Sequence, residues 1–183
     1  MRLFVSIDLD GLSDEVAAVQ ERFEGASGLD FVDPEQAHVT LKFLGDTDEE
    51  RVPALREELR AAVDDSGVGP FEARFGGLGV FPSLDYISVV WLGVRDGGAE
   101  MRRLHEEIET RTVGMGFDPE DHEFTPHVTI ARMSHGGGKE RVQEVVETAD
   151  PDAGTLSVEE VRLTESELRS DGPKYTTVDT MKL

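Results

Sequence analysis

The tripeptide His-Val-Thr occurs twice in this chain, at 38–40 and at 127–129, 89 residues apart. Each copy opens an apolar, β-branched run, HVTLKFL at 38–44 and HVTIAR at 127–132, that reads as a strand. Each also follows a polar loop containing proline, FVDPEQA in the first case and GFDPEDHEFTP in the second. The elements around the two copies agree in order. A strand at Arg2–Leu9, a helix at about Ser13–Phe23, the first motif strand, a helix from Thr47 carrying Val52, Leu55, Leu59, Ala62 and Val63 on one side, and a strand at Phe71–Phe75 make one half, about 1–76. The sequence predicts that this second helix begins at a capping box, Thr47 with Glu50. A strand at Tyr86–Val94, a helix at Gly98–Thr112, the second motif strand, a helix at Lys139–Thr148 and a strand at Thr155–Leu163 make the other, about 86–163. A closing segment, 172–183, supplies a last strand at Tyr175–Met181. A repeated tripeptide in equivalent elements points to internal duplication, within one domain of 183 residues.

Side chains alternate faces along a strand, so His38 and Thr40 share one face while Val39 and Leu41 take the other. The same holds for His127 and Thr129 against Val128 and Ile130. With the apolar pairs against helices, the polar pairs face a cleft in which a duplicated fold sets one copy opposite the other. Two imidazoles across one cleft can move two protons together, one ring accepting from water while the other donates to a leaving oxygen. The threonine hydroxyls can hold non-bridging phosphoryl oxygens. Either copy alone would read as a polar strand edge; it is the pair in equivalent strands that points to catalysis. Lys42 has the parity of His38 and Thr40 and is a candidate phosphate contact, or else a solvated lysine. Phe43 and Phe81 are candidates for stacking on a base, although Phe43 alternates away from His38 and both also read as core aromatics.

Composition narrows the chemistry. There is no cysteine, which removes disulfides, thiolate metal sites and cysteine nucleophiles together. Eighteen basic against 39 acidic residues leave a formal net charge of −21, spread along the chain. Such a charge excludes general electrostatic attraction to nucleic acid, so a phosphate-bearing ligand needs a local site. Only four of the basic residues are lysines, and this acidic, lysine-poor balance suits a high-salt cytoplasm, where the Debye length falls to about 3 Å near 1 M, or else an ordinary acidic enzyme. The start, MRLFVSIDLD, does not read as a signal peptide, and no apolar run reaches membrane-spanning length; a cytoplasmic protein is expected. His105 reads as a solvated helix residue, His122 and His135 as loop residues, and Gly136–Gly138 as a flexible loop. Asp121 beside His122 lacks a further ligand at useful spacing, so no metal is expected.

HVTLKFLG at 38–45 and PHVTIAR at 126–132 resemble the two signature motifs of the 2H phosphoesterases. The branch they are most similar to is the RNA 2′,3′-cyclic phosphodiesterases, historically called 2′-5′ RNA ligases. RLFVSIDL at the start, GLGVFPS at 77–83, VVWLGV at 89–94 and GPKY at 172–175 extend the resemblance along the chain. It implies an α+β, bilobal duplicated fold, with two antiparallel sheets facing a central groove and helices on the outer faces. It implies His38 as proton donor, His127 as proton acceptor, and Thr40 and Thr129 as phosphate-binding hydroxyls. It also implies that Arg132 is directed at the phosphate or nucleotide. Strict alternation turns Arg132 away from His127, so either a bulge re-aims it or it reaches in from the strand's end, unless it covers a helix carboxylate. Glu123-Phe124-Thr125 stands where relatives more often carry an extra basic residue.

The expectation is therefore metal-independent opening of an RNA 2′,3′-cyclic phosphate to a 2′-phosphomonoester, by a monomer, without a cofactor. The alternatives are the same site acting on small cyclic nucleotides or 2′-5′ linkages, with reversible 2′-5′ ligation, and a non-catalytic module that binds RNA ends.

Overall fold

A computed structural model describes all of residues 1–183. Nine strands and four helices follow one another: β1 (Arg2–Asp8), α1 (Ser13–Glu21), β2 (Leu29–Phe31), β3 (His38–Asp46), α2 (Val52–Ser66), β4 (Phe71–Pro82), β5 (Ile87–Asp96), α3 (Gly98–Gly114), β6 (His127–Met133), α4 (Lys139–Thr148), β7 (Asp152–Val158), β8 (Glu160–Arg169) and β9 (Gly172–Lys182). The strands pair in the order β7-β4-β5-β6-β3-β1-β8-β9, every neighbour antiparallel, with β2 added to β6. The expected pair of sheets is thus two arms of one curled sheet. They join at a single residue pair, Val39 opposite Val128, the central residues of the two His-Val-Thr copies.

Helices α2 and α3 pack on one another and over β9 and β3, while α1 lies over β6 and β7 and α4 over β4. Between helices and sheet runs one apolar core. Val5, Val39, Leu55, Leu59, Phe75, Leu104, Ile108 and Val128 are completely inaccessible within it. No helix is long and apolar enough to cross a membrane.

The two halves of the sequence do not coincide with the two arms. β4 belongs by order to the first half, yet it pairs with β5 and β7 in the second arm. A short turn after Pro82 makes β4 and β5 a hairpin, and hairpin strands are obliged to be neighbours. The far end of the chain returns to the first arm, where the β8–β9 hairpin covers the edge that β1 would otherwise expose.

The stretch expected as one strand at Thr155–Leu163 is two, β7 and β8, in different arms. Val158 and Val161 are both buried although three residues apart, a spacing that a single period-two strand does not satisfy. The capping box at Thr47 does not form. The Thr47 hydroxyl donates to the Gly45 carbonyl (3.1 Å), and α2 is entered through a 3-10 turn at Glu49–Arg51 with Pro53 in its first turn.

Candidate active site

The Val39–Val128 pair sets the geometry of everything around it. In an antiparallel register it places His38 opposite Thr129 and Thr40 opposite His127. The histidines are then diagonal neighbours, with Cα atoms on the order of 7–8 Å apart. Val39 and Val128 are wholly buried on the helix side, whereas the two histidines and two threonines are half-buried on the groove side. Four residues predicted from sequence are therefore brought together.

The imidazoles are oriented by the same device. His38 Nδ1 lies 2.9 Å from the Gln36 carbonyl, and His127 Nδ1 lies 2.6 Å from the Thr125 carbonyl, each two residues upstream. A carbonyl only accepts, so Nδ1 carries the proton in both rings and Nε2 is left free. A free Nε2 accepts a proton when the ring is neutral and donates one when it is charged.

Aromatic side chains hold both rings in place. The His38 ring lies 4.9 Å from Phe4 and meets Tyr175 edge-on at 5.3 Å. The His127 ring meets Phe81 edge-on at 5.0 Å, with Trp91 at 6.0 Å. Trp91 reaches this position by lying flat over Gly79, where an added Cβ would come within 2.1 Å of the indole. Burial pushes both imidazoles below the usual histidine range. The bonds to Gln36 and Thr125 oppose that shift, and the Arg132 guanidinium adds to it in both rings. The remaining influences differ: the Asp8 carboxylate, opposite His38 in the sheet, favours its charged form, whereas His127 feels the repulsion of His38 and His122.

Just beyond each motif the strand bulges, and this overturns simple alternation. In β3 the pairing with β1 skips Leu41, and in β6 the pairing with β5 skips Ile130. These residues occupy equivalent places, each third after its histidine. A bulge reverses the facing of the residues beyond it. Arg132 accordingly shares the face of His127 and Thr129, exposed and close enough for its charge to act on His38, His127 and Tyr175. Phe43 is turned likewise; it is 62% exposed, with its ring centroid 6.3 Å from that of Phe4.

Lys42 is moved the other way. Expected beside His38 and Thr40, it is instead 1% exposed and donates to Glu109 on α3 (2.7 Å) and to the Asp118 carbonyl (2.6 Å). The same Glu109 accepts from the Glu120 amide at 2.8 Å. Lys42 thus serves to tie the loop before the second motif to the first arm, and its charge is already matched. Its carboxylate partner would be raised by burial, but the bonds from Lys42 and the Glu120 amide bring Glu109 below its usual range. His105, expected in solvent, is buried as well. Its Nδ1 donates to the carbonyl of the bulged Leu41 at 2.7 Å, and its ring stacks on Phe124 at 4.3 Å.

Two cavities flank the motifs. One of about 530 Å³ is lined by Thr40, Phe43, Phe81, Phe124, Thr125 and His127 together with Glu120, His122 and Glu123. A smaller one of about 210 Å³ lies against His38, between Phe4, Tyr175, Asp8 and Arg162. Asp8 is held there by Arg162 (2.7 Å) and by the Ser6 hydroxyl (2.8 Å), itself beside the Thr164 hydroxyl. Glu120, Asp121 and His122 come close together in the exposed loop, and Asp121 pairs with His122 Nδ1 at 2.8 Å. His135, also exposed, accepts from the Gly137 amide in its own turn.

Sequence reasoning missed Gln36, Phe4, Trp91 and the role of Tyr175. The only signal for the last was the GPKY segment. Gln36 ties the β8–β9 hairpin to the first motif, its side chain donating to the Pro173 carbonyl (3.2 Å) and accepting from the Tyr175 amide (3.2 Å).

A curled antiparallel sheet covered on one side by four helices and centred on paired His-x-Thr strands makes this an α+β fold. Residues 10–169 match the family model described as the 2′-5′ RNA ligase superfamily, and the chain belongs to that family. A protein of Methanothermobacter thermautotrophicus named RNA 2′,3′-cyclic phosphodiesterase is 36% identical over 186 residues, covering 100% of this chain and 99% of its own. One of the same name from Methanocaldococcus jannaschii is 33% identical over 96% of both chains. Among solved structures, a Thermus thermophilus protein superposes with a TM-score of 0.82 at 27% identity, covering 100% of this chain and 98% of that one. E. coli LigT, crystallised with 3′-AMP, superposes with a TM-score of 0.80 at 22% identity, covering 100% and 97%; that likeness concerns the fold.

Proposed function

We propose that this protein hydrolyses RNA 2′,3′-cyclic phosphodiester ends to 2′-phosphomonoesters, without a metal, by an acid–base pair of histidines. The observation that carries the reading is the matched pair of Nδ1 bonds, which leaves two Nε2 atoms free at diagonal positions of one groove. RNA ends as the substrate are supported by the names of relatives matched over 96% or more of their length.

In this mechanism the cyclic phosphate lies between the rings, its non-bridging oxygens on the Thr40 and Thr129 hydroxyls and on Arg132. His127 Nε2 takes a proton from water as the water oxygen bonds to phosphorus. His38 Nε2 gives its proton to the 3′ oxygen as the P–O3′ bond breaks. Burial and Arg132 disfavour charge on both rings; what distinguishes them is Asp8, which supports a charged His38, and the added repulsion of His38 and His122 at His127, and this difference agrees with the division of roles. Turnover leaves His127 charged and His38 neutral, and exchange with solvent restores the pair. Both proton transfers and the phosphoryl contacts are then supplied by side chains.

A second reading, small cyclic nucleotides in place of RNA, is favoured by the carboxylates among the lining of both cavities, Glu120 and Glu123 at one and Asp8, Asp10 and Glu35 at the other. The test is turnover in EDTA of a 2′,3′-cyclic mononucleotide and of a short oligonucleotide ending in the same cyclic phosphate, with the product isomer identified. Release of the 2′-phosphate from both, unaffected by EDTA, is expected. Loss of turnover in EDTA, or a 3′-phosphate product, would refute the mechanism. A strong preference for the mononucleotide would select the second reading.

A further inference from the structure

Arg132 can face the groove only because Ile130 is bulged out of the β5–β6 ladder. Without the bulge, period-two alternation would turn Arg132 to the helix side, five residues after His127. What holds the bulge in place comes from a different element. Gln20, in the last turn of α1, is buried, and its side-chain amide donates to two carbonyls at once: Ile130 at 3.0 Å and Val32 at 2.7 Å. The Val32 amide also donates to the Ile130 carbonyl at 3.0 Å. One amide therefore ties the bulged residue to the chain just beyond β2, the strand that pairs with Arg132 through Asp30.

We propose that Gln20 is a positioning residue for Arg132, latching the Ile130 bulge so that the guanidinium points at the phosphate site. The inference rests on the phosphoesterase reading above for its kinetic test. His127 and Thr129 precede the bulge and do not depend on the latch for their facing. Gln20 thereby acts on one substrate contact and leaves the proton-transfer pair in place. The first arm repeats the arrangement with a different side chain, His105 on the Leu41 carbonyl, which marks the latch as part of the motif's architecture.

The test compares wild type, Gln20→Leu, Arg132→Ala and the double variant on a short cyclic-phosphate oligonucleotide. Arg132→Ala is expected to raise KM about 10- to 100-fold, the loss of one charge-assisted phosphate contact. Gln20→Leu should raise KM by about 10-fold, with kcat within about threefold of wild type, and should add nothing in the Arg132→Ala background. A second readout is the pH–rate profile. The charges facing the imidazoles are Asp8 and Arg132 at His38, and His38, Arg132 and His122 at His127. Moving the guanidinium away removes a depressing charge from both rings, so both limbs shift upward in Gln20→Leu as in Arg132→Ala. A buried amide with only a structural role would leave those limbs where they are.

Effects of the two substitutions that multiply, or an unshifted profile, would overturn the proposal. So would a crystal structure of Gln20→Leu with Ile130 still bulged and Arg132 still in the groove. If Gln20→Leu fails to fold, Gln20→Asn keeps the amide and shortens its reach by one methylene, and is expected to show the same pattern more weakly. If the wild type turns over neither substrate, the function proposed above fails, and titration with inorganic phosphate decides the latch. Equal weakening by Gln20→Leu and Arg132→Ala supports it, and binding unaffected by Gln20→Leu refutes it.

Discussion

The two motif strands begin alike and end differently. β3 and β6 each present histidine and threonine to the groove, each bulges three residues after the histidine, and each has the bulged carbonyl bonded by a helix side chain. Past the bulge the resemblance stops. The residue turned into the groove is Phe43 on one arm and Arg132 on the other, and the residue turned to the helices is Lys42 on one and Ala131 on the other. The two strands share the histidines and threonines to which the proposed mechanism assigns proton transfer and phosphate contact, and they differ at the positions just past the bulge. Under the proposed function a two-fold arrangement suits a paired exchange of protons, whereas a nucleotide has no such symmetry, and the unlike residues past the bulges would give the groove a direction.

The symmetric part predicts the largest effects. Alanine at His38 or at His127 should each lower kcat by about 10²–10⁴-fold, and the double variant should lose far less than the product, since the rings work as a unit. Losses that multiply would reduce the pair to one catalytic group. The wild-type kcat/KM should follow a bell-shaped pH profile with its optimum on the acid side of about 6.5, because both rings are depressed below that value and the pair must carry one proton. A pH titration showing an optimum well above 7 would break the assigned environments.

The buried side of the same strands is the next contrast. Lys42→Met should lower the free energy of unfolding by about 3 kcal/mol, as expected on removing one partner of a buried ion pair, with KM unchanged in the folded protein. Denaturant titration and kinetics on the same sample decide it; a raised KM with unchanged stability would return Lys42 to the substrate. Glu109, held below its ordinary range by Lys42 and the Glu120 amide against the opposing effect of burial, contributes stability that is present above the unfolded carboxylate pKa and lost as pH falls through the folded one.

Smaller still is the effect at the aromatic end of the asymmetry. Phe43→Ala should raise KM by roughly 5- to 30-fold if a base rests on that exposed ring, and Phe43→Tyr should restore it. Identical KM values for Phe43→Ala and wild type would leave the first arm without a substrate contact beyond Thr40. The smallest effect concerns salt. With a formal net charge of −21 and a site for one phosphate, KM should stay level or fall as KCl rises toward 1 M, because screening weakens the general repulsion as much as the local contact. A steep rise in KM, with a slope of several phosphates, would reveal an extended basic track.

Much of the site was legible because it depends on identity and short-range order. The histidines, the threonines and the preceding loops could be read from a repeated tripeptide, and helix α4 was predicted to the residue from its apolar spacing and the glycines before it. Phe43, Lys42, Arg132 and His105 were legible only as residue types. Their placement depends on which way a strand faces after a bulge, and a bulge leaves no mark in apolar alternation that distinguishes it from a slip in pattern. The assignment of strands to arms failed for a related reason. β7 and β8 read as one run because their break at Glu159 is a change of partner, not of composition.

What the sequence by itself determined is the pair of catalytic candidates, their duplication, and the exclusion of thiol chemistry and of broad electrostatic binding. All of these depend on which atoms the chain carries. What only the tertiary structure decided is which of the neighbouring side chains join them. Alternation along a strand is a local rule, and it holds as far as Leu41 and Ile130. Beyond those residues the facing is reversed by bulges whose carbonyls are bonded by Gln20 and His105, on helices distant in sequence from the strands they touch. Contacts of that kind exist only once the chain has folded.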